Sequence, residues 1–327
     1  MQSARCVCGA AAAAAAALAV AVGLGAAPAA AQTDDAAAAF VRVATGYSLT
    51  PNITYHRAGG RDLTLDVYRP RGASGPNPTL IYIHGGGWTN GSKEGSALTF
   101  LPYLEMGWSV VNVAYRLADA AHAPAAVEDC RCALRWVYRN AERMGFDVGR
   151  IVVTGNSAGG HLALTTGMLP ASAGLDRQCP GDRRRVWTTG TTSTAPLEVA
   201  AIINWYGITD VHDLANRAPG TSGNFTEAWL GSRSDRDDVA KRVSPTNYIH
   251  ADLPPILTIH GDQDSIVPYD HATRLHEALD AAGAANELLT IEGGGHGGFS
   301  PEENQRIYAA IRAFLGEHGL GAAPSND

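Results

Sequence analysis

Two rhythms of apolar residues alternate along most of the chain. Residues 79–83, 109–115, 150–154, 199–206 and 255–260 are short, nearly unbroken apolar runs rich in β-branched side chains. Runs of that length and composition predict strands buried on both faces. The segments between them space their apolar residues at helical intervals. Residues 124–144 place Val127, Leu134, Val137 and Tyr138 on one stripe, and Pro124 suits a first helical turn. Helices are also expected directly after Gly160, over 268–282 and over 301–315, with a last strand at 287–291. Ahead of this series, 53–56 and 63–68 alternate about Ala58-Gly59-Gly60-Arg61, the pattern of a β-hairpin, and 35–48 reads as a weak helix or an arm. Strands alternating with helices predict an α/β fold: a mostly parallel central sheet with helices on both faces.

Three stretches break the rhythm. Residues 171–196 are polar and glycine-bearing and read as a surface insertion. Residues 207–253 contain no strand pattern but carry Phe225, Trp229 and several helix-sized pieces, so they are expected to form a small cap over the carboxyl edge of the sheet. The third is the N-terminus. Arg5 precedes an alanine-dominated apolar run to Leu24, and Ala29-Ala30-Ala31-Gln32 follows. That order predicts a secretory signal peptide over 1–31, cleaved after Ala31, and export to a periplasmic or extracellular compartment with no stable membrane insertion afterwards. Residues 32–327 then form one catalytic-sized domain without internal repeats.

Composition narrows the class. The chain has 327 residues, 45% apolar and 17% charged, with a formal net charge of -7. This is a globular chain, and nothing in it compares with a nucleic-acid footprint; Arg183-Arg184-Arg185 is a short solvated run. Past the signal, Cys130, Cys132 and Cys179 remain. An oxidising compartment leaves room for one disulfide. Residues two apart on a helix point in nearly opposite directions, so at most one of Cys130 and Cys132 faces Cys179, leaving the other a buried thiol. The spacing suits no zinc site.

The chemistry concentrates at Gly155-Asn156-Ser157-Ala158-Gly159-Gly160, a Gly-x-Ser-x-Gly pattern between a predicted strand and a predicted helix. A serine on such a bend exposes its hydroxyl above a helix N-terminus. It needs a base and a group to orient that base. His296, in a glycine loop after the last strand, is placed to be the base, and Asp264, in the loop after 255–260, to be the acid, with Asp262 as its rival. Acyl transfer also needs fixed donors for an oxyanion. The backbone N–H groups of Gly86 and Gly87, in His84-Gly85-Gly86-Gly87-Trp88, and of Ala158 are assigned that role. No Gly-Lys-Ser/Thr follows the glycines, which sets aside a phosphate loop. His84 is read as bracing the oxyanion loop, His161 as a helix residue facing its neighbours, and Asp129 as a structural contact. Trp88, Tyr206, Phe225 and Trp229 are candidates for the substrate pocket.

Taken together, His84-Gly85-Gly86-Gly87-Trp88, Tyr115-Arg116-Leu117, Glu128-Asp129-Cys130, the serine motif, His260-Gly261-x-x-Asp264-x-x-Val267-Pro268 and Gly295-His296 resemble the α/β-hydrolase fold over residues 52–315. The resemblance is to the esterase and lipase group with a His-Gly-Gly-Gly oxyanion loop. Hormone-sensitive-lipase-like enzymes share the first and fourth pieces. The acid motif is closer to bacterial carboxylesterases of the acetyl-esterase and feruloyl-esterase-like type. The resemblance implies hydrolysis of carboxylic esters through a Ser157–His296–Asp264 triad and an acyl-enzyme, with no cofactor and no metal; separately, the compact cap and its aromatics point to small or aromatic acyl groups, free or carbohydrate-linked. The chain departs from that group in the insertion bearing Cys179 and in its short N-terminal arm, both where substrates are contacted. An amidase, arylformamidase or peptidase would use the same triad, although the propeller of a prolyl-oligopeptidase-like enzyme is missing. A non-catalytic ligand-binding protein on this fold is opposed by the intact set of catalytic groups.

Overall fold

The computed structural model describes residues 38, 41–73, 75–97, 99–179, 197–217 and 225–321. The expected signal peptide, the part of the insertion from 180 to 196 and residues 218–224 of the cap lie outside the described residues. Eight strands form one sheet: β1 (Tyr47–Ala58), β2 (Arg61–Pro70), β3 (Asn77–Ile83), β4 (Ser109–Val113), β5 (Phe146–Asn156), β6 (Ala201–Trp205), β7 (Ile256–Gly261) and β8 (Asn286–Ile291), in the order β1-β2-β4-β3-β5-β6-β7-β8. Pairing is antiparallel from β1 to β2 and β2 to β4, and parallel from there to β8. The expected hairpin is present and longer than 53–68. Its first strand begins at Tyr47, where a helical stretch over 41–46 ends, so the arm is half helix and half edge strand.

The apolar runs are the central strands, and their continuity has the expected cause: both faces are covered. On β3, Ile81 and Ile83 join one core while Leu80 and Tyr82 join the other. The first core is shared with helices α2 (Ala125–Met144) and α3 (Ala158–Met168), and the second with α1 (Leu101–Glu105) and α8 (Pro301–Glu317). Helix α8 opens on Ser300, whose hydroxyl accepts from Glu303 N–H while the Glu303 carboxylate accepts from Ser300 N–H, a full capping box. The remaining helices are α4 (Val211–Asn216), α5 (Phe225–Leu230) and α6 (Arg236–Arg242), which belong to the expected cap, and α7 (Asp270–Ala282). Pro268 and Tyr269 form a turn just ahead of α7 instead of its first turn, because the chain is still leaving the acid loop there.

The described start of the insertion is not a free surface loop. Cys179 is bonded to Cys132, and Asp176 accepts from Arg135 at 2.8 Å, so this segment is stapled to α2. Cys130 is the buried free thiol. Asp129 finds its partner in Arg116, whose Nε, Nη2 and backbone N–H all donate to it.

Candidate active site

The serine turn is built by close backbone approach. Ser157 sits at φ 56°, ψ -122° between β5 and α3, a conformation that non-glycine residues adopt at a cost of about 1–3 kcal/mol. It is held there at both ends. Ser157 N–H donates to Trp205 O at 2.9 Å, and its carbonyl accepts from His161 N–H at 3.0 Å. A side chain at Gly155 or Gly159 would collide with Ile83 O at the end of β3, and one at Gly160 would lie 2.5 Å from Asn204 Oδ1 on β6. The glycines therefore let the bend drop between two neighbouring strands.

Three side chains distant in sequence meet above it. His296 Nε2 accepts from Ser157 Oγ–H at 2.8 Å, and His296 Nδ1–H donates to Asp264 Oδ2 at 2.7 Å. This fixes the imidazole as the Nδ1–H tautomer, with Nε2 free to take the serine proton. Asp264 Oδ1 accepts from Ile266 and Val267 N–H at 2.8 and 2.9 Å. Burial alone would raise the Asp264 carboxyl, but the hydrogen bonds from His260 and His296 outweigh it and hold the group below the usual carboxylate range. Access is graded along the relay. The Asp264 side chain is wholly buried, that of His296 is 15% exposed and Ser157 is 9% exposed. A substrate can reach the first two groups of the chemistry and not the carboxylate. Asp262 instead accepts from Gly293 N–H at 2.8 Å, bracing the start of the His296 loop, so the rival acid is a loop contact.

The His84–Trp88 loop lies directly against the serine turn. A side chain at Gly85 would stand 2.6 Å from Asn156 O. His84 stacks on Tyr115 at 4.3 Å, Tyr115 Oη–H donates to His84 O at 3.0 Å, and the loop is braced as expected. Gly86 and Gly87 sit at φ 112° and 58°, and a side chain at Gly87 would meet Phe225. Among the described residues, the N–H groups of Gly86, Gly87 and Ala158 have no acceptor in the protein. Backbone N–H groups left unpaired are what an oxyanion requires.

The four aromatic candidates divide. Trp88 and Trp229 are fully buried and stack on each other at 4.1 Å, so they pack the loop against α5 and do not line the pocket as expected. His161 lies edge-on to Trp88, its Nδ1 accepting from the Trp88 indole N–H at 3.2 Å while its Nε2–H donates to Val243 O at 2.7 Å. Phe225 is half-buried over Gly87 and Trp88. Tyr206, at φ 38°, packs edge-on to His296 at 4.8 Å and borders a cavity of about 200 Å³. Tyr82, Asn156, Trp205, Phe299 and Tyr308 line the same cavity and were not among the sequence candidates. The signal for three of them was positional: Tyr82, Asn156 and Trp205 stand at or next to the carboxyl ends of β3, β5 and β6, where open α/β sheets place ligands. Among the described residues no three His, Cys, Asp or Glu side chains gather as a metal site.

Comparison with known proteins bears on the family and the fold. Residues 65–279 match the BD-FAE family model. Esterase LipQ of Mycobacterium tuberculosis is 29% identical over 265 residues, which is 79% of this chain and 60% of that protein. Carboxylesterase NlhH of the same organism is 33% identical over 237 residues, 70% of this chain and 69% of the relative. Set against LipQ and esterase LipC, the chain spans 60% and 56% of the relative's length. Among solved structures, the propionate-bound esterase Est2 of Thermogutta terrifontis superposes with a TM-score of 0.68 at 27% identity, covering 86% of this chain and 97% of that one. By its motifs, its sheet and the residues that match, the chain belongs to the BD-FAE family and has the α/β-hydrolase fold.

Proposed function

We propose that this chain is a serine carboxylesterase acting on small or aromatic esters. The observation that carries the reading is the unbroken relay from Ser157 Oγ through His296 to Asp264, with bonds of 2.8 and 2.7 Å. Ser157 Oγ attacks the ester carbonyl as its proton passes to His296 Nε2, and Asp264 stabilises the imidazolium through Nδ1–H. The carbonyl oxygen becomes an oxyanion that takes the N–H groups of Gly86, Gly87 and Ala158. Collapse expels the alcohol, which leaves with the proton from His296, and an acyl-Ser157 ester remains. Water, deprotonated by His296, attacks that ester; the acid departs and Ser157 is restored. The cavity beside Tyr206 supports a compact or ring-shaped group, because it is small and largely aromatic.

Export is part of the same proposal, with 1–31 as the cleaved signal and 32–327 as the catalytic domain. It is supported by the Cys132–Cys179 bond, since structural disulfides persist in oxidising compartments. Two measurements test the activity. Wild-type protein should turn over p-nitrophenyl acetate and take up a fluorophosphonate probe at Ser157. Ser157→Ala should do neither while its circular dichroism is unchanged; turnover surviving in that variant removes the mechanism.

A further inference from the structure

The relay does not end at Asp264. His260, the penultimate residue of β7, has no exposed surface, and its Nε2 lies 2.9 Å from Val267 O and 3.2 Å from Asp264 Oδ2. Both neighbours are acceptors, so Nε2 must carry the hydrogen. Its other ring nitrogen, Nδ1, is buried with no partner among the described residues. A doubly protonated ring would bury an unpaired N–H there, whereas the neutral Nε2–H tautomer leaves only a bare lone pair. His260 is thus a neutral donor aimed at the same carboxylate oxygen that His296 Nδ1–H uses. One oxygen of the acid takes two imidazoles while the other takes two backbone amides.

We propose that His260 is a positioning residue of the reaction: its Nε2–H, shared between Val267 O and Asp264 Oδ2, holds the carboxylate against His296 and draws off part of the negative charge that His296 feels. This rests on the triad reading above. Two consequences follow. Without the donor, Asp264 Oδ2 is drawn towards His296 and pulls the imidazole off its line to Ser157 Oγ, so the loss falls on kcat more than on KM, since no substrate contact changes. Also, the two amides still anchor Oδ1, so the unshared Oδ2 attracts the His296 imidazolium more strongly, and the acid limb of the kcat/KM profile moves to higher pH. Two phenols also face this cluster among the described residues: Tyr206 edge-on to His296 at 4.8 Å and Tyr269 edge-on to His260 at 5.7 Å.

The test compares His260→Leu, which removes the donor at similar volume, with His260→Gln, whose amide N–H reaches the same place. On p-nitrophenyl acetate, His260→Leu should lose about 10- to 100-fold in kcat with KM within about twofold, and its acid limb should rise by about half a pH unit. His260→Gln should restore most of the rate and the position of the limb. If leucine does not fold, His260→Asn, whose amide stops short of Asp264, takes its place. In an Asp264→Ala background the same substitutions should cost nothing further, because the carboxylate they act through is gone. A wild-type rate and an unmoved limb in both donor-lacking variants overturn the role of His260, as does an equal loss in the Asp264→Ala background. The two readings fail separately: turnover in Ser157→Ala defeats the triad itself, whereas inert Ser157→Ala with unaffected His260 variants defeats only this inference.

Discussion

Acid should loosen this protein through a residue that sits between its catalytic parts. His161 follows the serine turn on α3, is wholly buried, and accepts the Trp88 indole N–H on Nδ1 while donating from Nε2 to Val243 O. It therefore ties the nucleophile helix to the oxyanion loop and to the end of the cap. Burial drives its pKa down to about 4, against a smaller raising effect of the Val243 bond. Unfolded, the same ring titrates near 6.5. Between those values the unfolded chain binds one proton more than the folded one, so stability rises with pH there. The contribution is complete above about pH 6.5 and is lost as pH falls towards 4, amounting to about 2 kcal/mol by pH 5 and about 3 kcal/mol by pH 4. His271, also brought to about 4 chiefly by burial, adds a second loss in the same window. Urea denaturation of the wild type and of His161→Asn between pH 7.5 and 4.5 isolates the first. The asparagine keeps an acceptor for Trp88 but cannot titrate. The difference in stability between the two proteins should shrink by about 1.2 kcal/mol per pH unit between 6 and 4.5. Parallel curves would refute the linkage and, with it, the neutral tautomer assigned to His161.

Further outcomes follow from the geometry of the site. Asp264→Asn should lower kcat about 10⁴-fold by presenting the wrong donor pattern to His296, whereas Asp262→Asn should stay within about tenfold of wild type, since Asp262 braces a loop; initial-rate kinetics on both separate acid from neighbour. Gly86→Ala forces a side chain into φ 112° and against Asn90 O, and should reduce kcat about 10²- to 10³-fold while the fluorophosphonate still labels Ser157 slowly. Cys132→Ser should lower stability by about 2–4 kcal/mol, because the bond closes a sequence separation of 47 residues; a thermal melt that does not shift would show that the segment at Asp176 is held by its ion pairs alone.

The sheet was legible because its strands are buried on both faces, which leaves no polar alternation to confuse them. The three positions that meet at the serine turn were legible because each sits where a strand runs out into a turn: Ser157 after β5, Asp264 after β7, His296 after β8. What escaped was contact between distant side chains. Trp88 and Trp229 look like any exposed-ready aromatics in sequence, and only their stacking at 4.1 Å shows them to be packing. His260 was legible as the head of the acid motif but not its approach to Asp264, which depends on a loop that doubles back within four residues. The hairpin's extra length was hidden by the exposed outer half of β1, which carries no apolar period to read.

A single physical arrangement explains why the glycines and the buried histidines occur together. The serine turn and the oxyanion loop must approach closely enough for backbone N–H groups to face a nucleophile, and only glycine permits that at Gly85, Gly155 and Gly159. Glycine, however, adds no side chain to hold the approach in place, and it raises the entropy of any state in which the loop drifts. The rigidity must come from the residues alongside. His84 against Tyr115, His161 between Trp88 and Val243, and His260 against Asp264 each lie next to one of these flexible stretches, and each is buried and hydrogen-bonded through its ring or stacked on a neighbour. At His161 an imidazole suits the task because the ring donates on one side and accepts on the other without bringing a charge into the core. At that residue the same choice brings sensitivity to acid, since protonation destroys the accepting side.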